Sequence, residues 1–168
     1  FVTTSICMTS RASFITGQYA RRHGIWDFRT ELTAKQLSSS YLGALKEAGY
    51  QLGFVGKWGV GNPPSDLLDF DRSFAGQGRY FVQRNGQTRH LTSVMAEDAI
   101  EFFDELDSTR PFCLSVSFKA PHVQDSYNIQ DDPFPFDPAL AGLYLEDDVS
   151  APPTARPEFY DRLPAMLQ

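Results

Sequence analysis

An α/β fold is what this chain of 168 residues predicts, and three features of its pattern carry the prediction. Twice a helical stretch runs into a short apolar strand, residues 41–48 into Leu52-Gly53-Phe54-Val55 and residues 93–107 into residues 112–118. Each strand delivers chemistry at its carboxyl end, Lys57 in the first case and Lys119-Ala120-Pro121-His122 in the second, where the ligands of α/β sheets gather. A cysteine, Cys7, stands at the start of a third helical pattern with Arg11 one turn behind it.

Taken in order, residues 1–6 are Thr-rich and β-branched, which suits a short strand or extended segment leading to Cys7. Met8, Ala12 and Ile15, with Phe14 beside them, suit a short helix closed by Gly17. Cys7 then lies at a helix N-terminus, where unpaired N–H groups and the helix dipole favour an anion. Arg11 reaches the same place from the same face.

Residues 19–26 read as a loop. Ser38-Ser39-Ser40 offers an N-cap for a helix with Tyr41, Leu42 and Leu45 on one face, and Gly49 ends it before a strand from Tyr50 to Gly56. Residues 62–71, opening on Asn62-Pro63-Pro64, read as loop, and residues 81–88 as a hairpin turning at Asn85-Gly86.

The clearest helix runs from Ser93 to about Asp107, with Met95, Ala99, Phe102, Phe103 and Leu106 inward and Glu97, Asp98, Glu101 and Asp104 outward. Pro111 enforces its end, and an alternating strand follows. Beyond His122 the composition shifts to prolines, acids and aromatics. That predicts an ordered surface loop anchored by Phe134, Phe136, Leu143, Tyr144, Leu145, Phe159 and Tyr160.

The length suits one core, and no apolar run approaches the roughly 18 residues of a membrane span. The net charge is -6, but it is unevenly spread: the first 60 residues hold seven cations against three acids, and residues from 120 onward hold nine acids against two arginines. The N-terminal third thus offers cations to a small anion. The acidic total and the want of any basic run exclude a nucleic-acid partner. Two cysteines, Cys7 and Cys113, make no disulfide framework. The first residue is Phe1, no signal segment follows it, and no terminus is evident at Gln168, so an internal piece of a longer protein is expected.

Cys7-Met8-Thr9-Ser10-Arg11, followed by an apolar turn and Thr16-Gly17, resembles the signature of type I sulfatases, Cys-x-Pro-Ser-Arg with a later Thr-Gly. Ala48-Gly49-Tyr50 through Gly56-Lys57-Trp58, and Pro111-Phe112 through Ala120-Pro121-His122, are similar to two further segments of that family in the family's order. The resemblance implies a partial alkaline-phosphatase-like sandwich, with a mixed, mostly parallel sheet flanked by helices and incomplete at both ends. Residues 1–168 would be an internal part of one catalytic domain, 1–122 its α/β core segment and 123–168 a Pro-rich surface loop segment.

The same resemblance implies sulfate-ester hydrolysis by the full-length parent. A maturation enzyme would oxidise Cys7 to Cα-formylglycine, whose hydrate attacks sulfur with one hydroxyl and uses the other to release sulfate. Arg11 would orient the formylglycine, Lys57 and His122 would hold sulfate oxygens or serve the leaving group, and Lys119 would contact substrate. Calcium would be the metal, with Cys7 as formylglycine its one ligand in this chain. The remaining ligands, an Asp-Asp pair upstream and an Asp-Asn or Asp-His pair downstream, would lie outside it, leaving the fragment itself inactive.

The implied partners are a sulfated small molecule or glycan and the maturation enzyme, and the implied compartment is periplasmic or extracellular. Two rival functions are a phosphate or phosphonate ester hydrolase of the same superfamily and a non-catalytic binder of sulfated glycans. The sequence departs from the family twice: Thr9 stands where proline is usual, and Gly59 stands where a histidine usually helps collapse the sulfated intermediate.

Overall fold

A computed structural model describes residues 2–124 and 132–165. The central strand β1, Gln51–Lys57, is buried along its whole length, as its nearly continuous apolar run requires of a strand covered on both faces. It pairs in parallel with β2, Phe70–Phe74, on one side and with β5, Phe112–Ser117, on the other. In register, Gly56 stands opposite Ser73 and Ser117, and Lys57 opposite Phe74. The carboxyl ends of all three strands therefore open on one side.

Helices cover both faces of this sheet. Leu52 and Phe54 of β1, with Trp58 just beyond it, pack with Met8, Ala12 and Ile15 of α1, Cys7–Thr16, and Leu42 of α4, Tyr41–Glu47. Val55 points the other way, into a cluster with Phe70 and with Leu91, Met95 and Phe102 of α5, Leu91–Asp104. Each of the Leu, Ile, Val, Met and Phe side chains among them, when fully buried, contributes about 2 kcal/mol of hydrophobic stabilisation. The antiparallel hairpin of β3, Phe81–Arg84, and β4, Gln87–His90, forms a separate two-stranded sheet. Its turn uses Asn85 and Gly86, both at positive φ.

Several elements differ from the sequence expectation. Residues 2–6 form no strand, although Ile6 is extended at φ -115° and ψ 127°. Inside the expected loop lies α2, Ala20–His23, a single turn too short to show an apolar period. Upstream of the Ser-rich cap sits α3, Ala34–Ser38, opened by a capping box between Thr33 and Gln36. The expected Pro-rich loop ends early, because Phe70 already pairs with Gly53.

In α5 the expected inward and outward faces need two corrections. Asp98 is buried because Arg84 of β3 lies against it at 2.8 Å, whereas Phe103 is half exposed. The helix is also shorter, ending at Asp104.

Contacts divide the chain into a unit of Phe1–Asp137 and a unit of Pro138–Gln168. Within its described residues the second unit holds a 3₁₀ turn, Pro138–Leu140, and α6, Pro157–Tyr160. Leu143, Tyr144, Leu145, Phe159 and Tyr160 are exposed there rather than anchoring the segment, as are Phe134 and Phe136 in the first unit.

Candidate active site

Cys7 is the first residue of α1, and Ile6 before it supplies no side-chain cap. The first intrahelical bond runs from Ser10 N–H to the Ile6 carbonyl at 2.8 Å. The N–H groups ahead of Ser10 are thus the leading donors of the helix, a ready place for negative charge. Met8, Thr9, Ala12 and Ile15 bury the opposite side of the helix, which fixes the end bearing Cys7. Gly17 closes α1 in the left-handed conformation, as its sequence position predicts.

A cleft of about 390 Å³ opens beside Cys7, and Lys57, Gly59, Gly61, Asn62, Gln77, Arg29 and Glu31 share its lining. Two of the expected residues, Cys7 and Lys57, thus meet in one cavity although fifty positions apart. Lys57 is buried, and its ammonium donates to the Gln77 carboxamide oxygen.

Arg11 binds the helix to the sheet. Its Nη1 donates to the Lys57 carbonyl at 2.6 Å and to the Ser117 hydroxyl, so one guanidinium ties α1 to the ends of β1 and β5. Burial pulls Arg11 down from its ordinary pKa, an effect opposed by the charge of Cys7; a guanidinium stays charged across the physiological range. Gly59, at φ 71°, makes room for this arrangement, since a Cβ there would stand 2.9 Å from Arg11 Cδ and 3.2 Å from Lys57 Cε.

Lys119 and His122 gather at the end of β5, outside the residues that line the Cys7 cleft. The His122 N–H donates to the Lys119 carbonyl at 2.8 Å, closing a turn. His122 Nδ1 lies 2.7 Å from the Val123 carbonyl. A carbonyl only accepts, so Nδ1 carries the proton in this contact. Lys119 is buried, with its ammonium 5.1 Å from the Tyr80 ring centroid.

Sequence reading missed Gln77, Ser117 and Tyr80. A signal for Gln77 was present in Gly76-Gln77-Gly78, two glycines flanking one polar side chain. Ser117 and Tyr80 carry no such local mark.

Among the described residues no three His, Cys, Asp or Glu side chains are grouped to hold a metal ion. A hard cation such as calcium takes six to eight oxygen ligands. The residues described here do not by themselves fit the calcium site that the resemblance implies.

Fold and site together define an α/β protein with a cysteine and a lysine facing one cleft at the carboxyl end of a parallel sheet. The family model for sulfatases matches residues 1–149, and the chain belongs to that family. It is 28% identical over 126 residues to an N-acetylglucosamine-6-O-sulfatase of Bacteroides thetaiotaomicron, covering 67% of this chain and 22% of that protein. An N-acetylglucosamine-6-sulfatase of Capra hircus is 26% identical over 152 residues, covering 73% and 27% respectively.

A structure solved in complex with its substrate D-glucosamine-2-N,6-O-disulfate superposes with a TM-score of 0.60 at 25% identity, over 73% of this chain and 26% of that one. The fold is shared as well with Ps i-CgsB in complex with k-i-k-neocarrahexaose, at a TM-score of 0.61 and 21% identity over 72% of this chain and 36% of that one. The chain spans about a quarter of the length of these two curated relatives. Among the described residues no helix is long and apolar enough to cross a membrane.

Proposed function

We propose that the full-length protein hydrolyses sulfate esters, that Cys7 is its nucleophile position after oxidation to formylglycine, and that its substrate is a sulfated amino sugar. The observation that carries the reading is the shared cleft of Cys7 and Lys57, with Arg11 clasping the Lys57 carbonyl from one turn behind Cys7. The two relatives named as N-acetylglucosamine-6-sulfatases, and the glucosamine disulfate complex, support the sugar class. Relatives named extracellular sulfatases support a location outside the cytoplasm.

Cys7 suits the modification, being half-buried at a helix start and open to the cleft. Once formed, the hydrated aldehyde supplies an oxygen nucleophile for sulfur. The helix N-terminus and the Lys57 ammonium stabilise the negative charge of the sulfuryl group. Arg11 holds the helix end and the Lys57 backbone in one frame, so that nucleophile and cation approach the same sulfur. His122, oriented by the contact of Nδ1 with the Val123 carbonyl, is the group assigned to proton exchange with the leaving oxygen. Lys119 adds a second cation at the end of β5. Cys7 as formylglycine would be one metal ligand, and the others would come from other parts of the parent protein.

The test is mass spectrometry of the Cys7 peptide from cells that contain a maturation enzyme, combined with turnover of aryl sulfate and aryl phosphate by the full-length protein. Conversion at Cys7 and a preference for sulfate are expected, with turnover abolished in Cys7→Ala. An unmodified thiol with no turnover of either ester leaves a sulfated-glycan binder. A preference for the phosphate assigns the rival hydrolase.

A further inference from the structure

Tyr80 touches both site residues at the end of β5, yet it lies 39 and 42 positions before them. Its side chain is 2% exposed. The hydroxyl donates to the His122 carbonyl at 2.6 Å, and the ring lies under the Lys119 ammonium. A buried ammonium over an aromatic face is held by the ring quadrupole, and the hold strengthens as water is excluded. One aromatic side chain therefore contacts both the backbone of the histidine and the head of the lysine, whose ammonium also donates to the Val123 carbonyl at 3.4 Å.

Tyr80 is itself anchored on the longest helix. Its carbonyl accepts from Leu91 N–H, the first residue of α5, at 2.6 Å. Its ring packs against the His90 ring at 5.4 Å between centroids. His90 is fixed in turn: Nδ1 accepts from Thr92 N–H at 3.3 Å, which leaves Nε2 to donate to the Pro135 carbonyl at 3.2 Å. The chain of contacts runs from α5 through Tyr80 to His122 and Lys119. The turn following β5 is thereby tied to a helix as well as to its own strand.

We propose that Tyr80 is a positioning residue for the reaction: its hydroxyl sets His122, and its ring sets Lys119. The proposal rests on the sulfatase reading for the roles of those two residues. Its geometry does not.

The two halves separate by substitution in the full-length, matured protein. Tyr80→Phe keeps the ring and loses the hydroxyl. Aryl sulfate turnover is expected to fall about 10-fold in kcat with KM nearly unchanged, the scale of a small misplacement of a proton-transfer group. Tyr80→Leu loses the ring as well, and KM is expected to rise in addition. A readout independent of turnover is the imidazole ¹⁵N spectrum of histidine-labelled protein, with the His122 signals identified by their loss in His122→Gln. In Tyr80→Phe these signals are expected to move toward a mixture of tautomers.

Unchanged kcat together with unchanged His122 signals, in a folded Tyr80→Phe protein, overturns the proposal. If wild-type protein converts Cys7 but turns over no sulfate ester, while the His122 signals still move in Tyr80→Phe, the sulfatase reading falls and the positioning of His122 stands.

Discussion

Substituting Gly59 by alanine tests whether the space beside Arg11 is needed. At φ 71° any L residue carries a backbone penalty of about 1 kcal/mol. The new Cβ would also sit 2.9 Å from Arg11 Cδ, 3.2 Å from Arg11 Nε and 3.2 Å from Lys57 Cε. A flexible side chain could swing clear cheaply, but this one is tied at its far end. Arg11 Nη1 donates to the Lys57 carbonyl at 2.6 Å and to the Ser117 hydroxyl.

Relief of the contact therefore costs a charge-assisted hydrogen bond, about 2 kcal/mol, for a total near 3 kcal/mol. Gly17 is the control: its φ is 65°, and nothing lies within 4 Å of a Cβ placed there, so Gly17→Ala should cost the backbone penalty alone, about 1 kcal/mol. Urea unfolding of the two full-length variants at matched m-values reads the difference. Turnover of an aryl sulfate should fall in Gly59→Ala and hold in Gly17→Ala. Gly59→His, which restores the residue usual in the family signature, should not raise turnover in this backbone. Equal costs for the two alanine variants would falsify the role given to the Arg11 clasp.

Thr9 and His23 give two further tests. The Thr9 side chain is fully buried, and its Oγ1 has no hydrogen-bond partner among the described residues, so Thr9→Val should raise the unfolding free energy by about 1 kcal/mol, read as a higher urea midpoint. A lowered midpoint would show that the hydroxyl is satisfied in solution. His23 is buried as a neutral ring: Nδ1 accepts from Ile25 N–H at 3.1 Å, and Nε2 donates to Ser13 Oγ at 2.9 Å. Burial lowers its pKa below the ordinary 6.5. Between that lowered value and 6.5 the unfolded chain binds more protons than the folded one. Stability from this group is thus complete above 6.5 and declines as pH drops through the window. Urea midpoints measured from pH 8 to 5 should show that decline, and His23→Gln should flatten it. A slope that survives the substitution assigns it to another group.

What the sequence made legible is the chemistry held within one or two turns of chain. Cys7 and Arg11 lie one turn apart on α1, as their spacing requires, although the Arg11 guanidinium goes to the Lys57 carbonyl and the Ser117 hydroxyl. The apolar run of β1 announces a buried strand, and Lys57 follows at its end. The hairpin at Asn85-Gly86 needs only its turn residues.

Elements set by distant partners were not legible. In β2, Phe70-Asp71-Arg72-Ser73-Phe74 is polar in the middle, and its pairing comes from the β1 edge that it meets. Asp98 has the helical position of a surface acid, and its ion pair with Arg84 comes from a distant hairpin. Gln77 and Ser117 acquire their places from Lys57 and Arg11, residues 20 and 106 positions away.

The same division explains Gly59. In sequence it is a missing histidine; in the fold its want of a Cβ admits Arg11 to the Lys57 carbonyl. A position that lacks the family's group along the chain has been given over to a side chain from another element. The Gly59→His variant distinguishes these two accounts, because a simple loss is reversible by restoration and an occupied space is not.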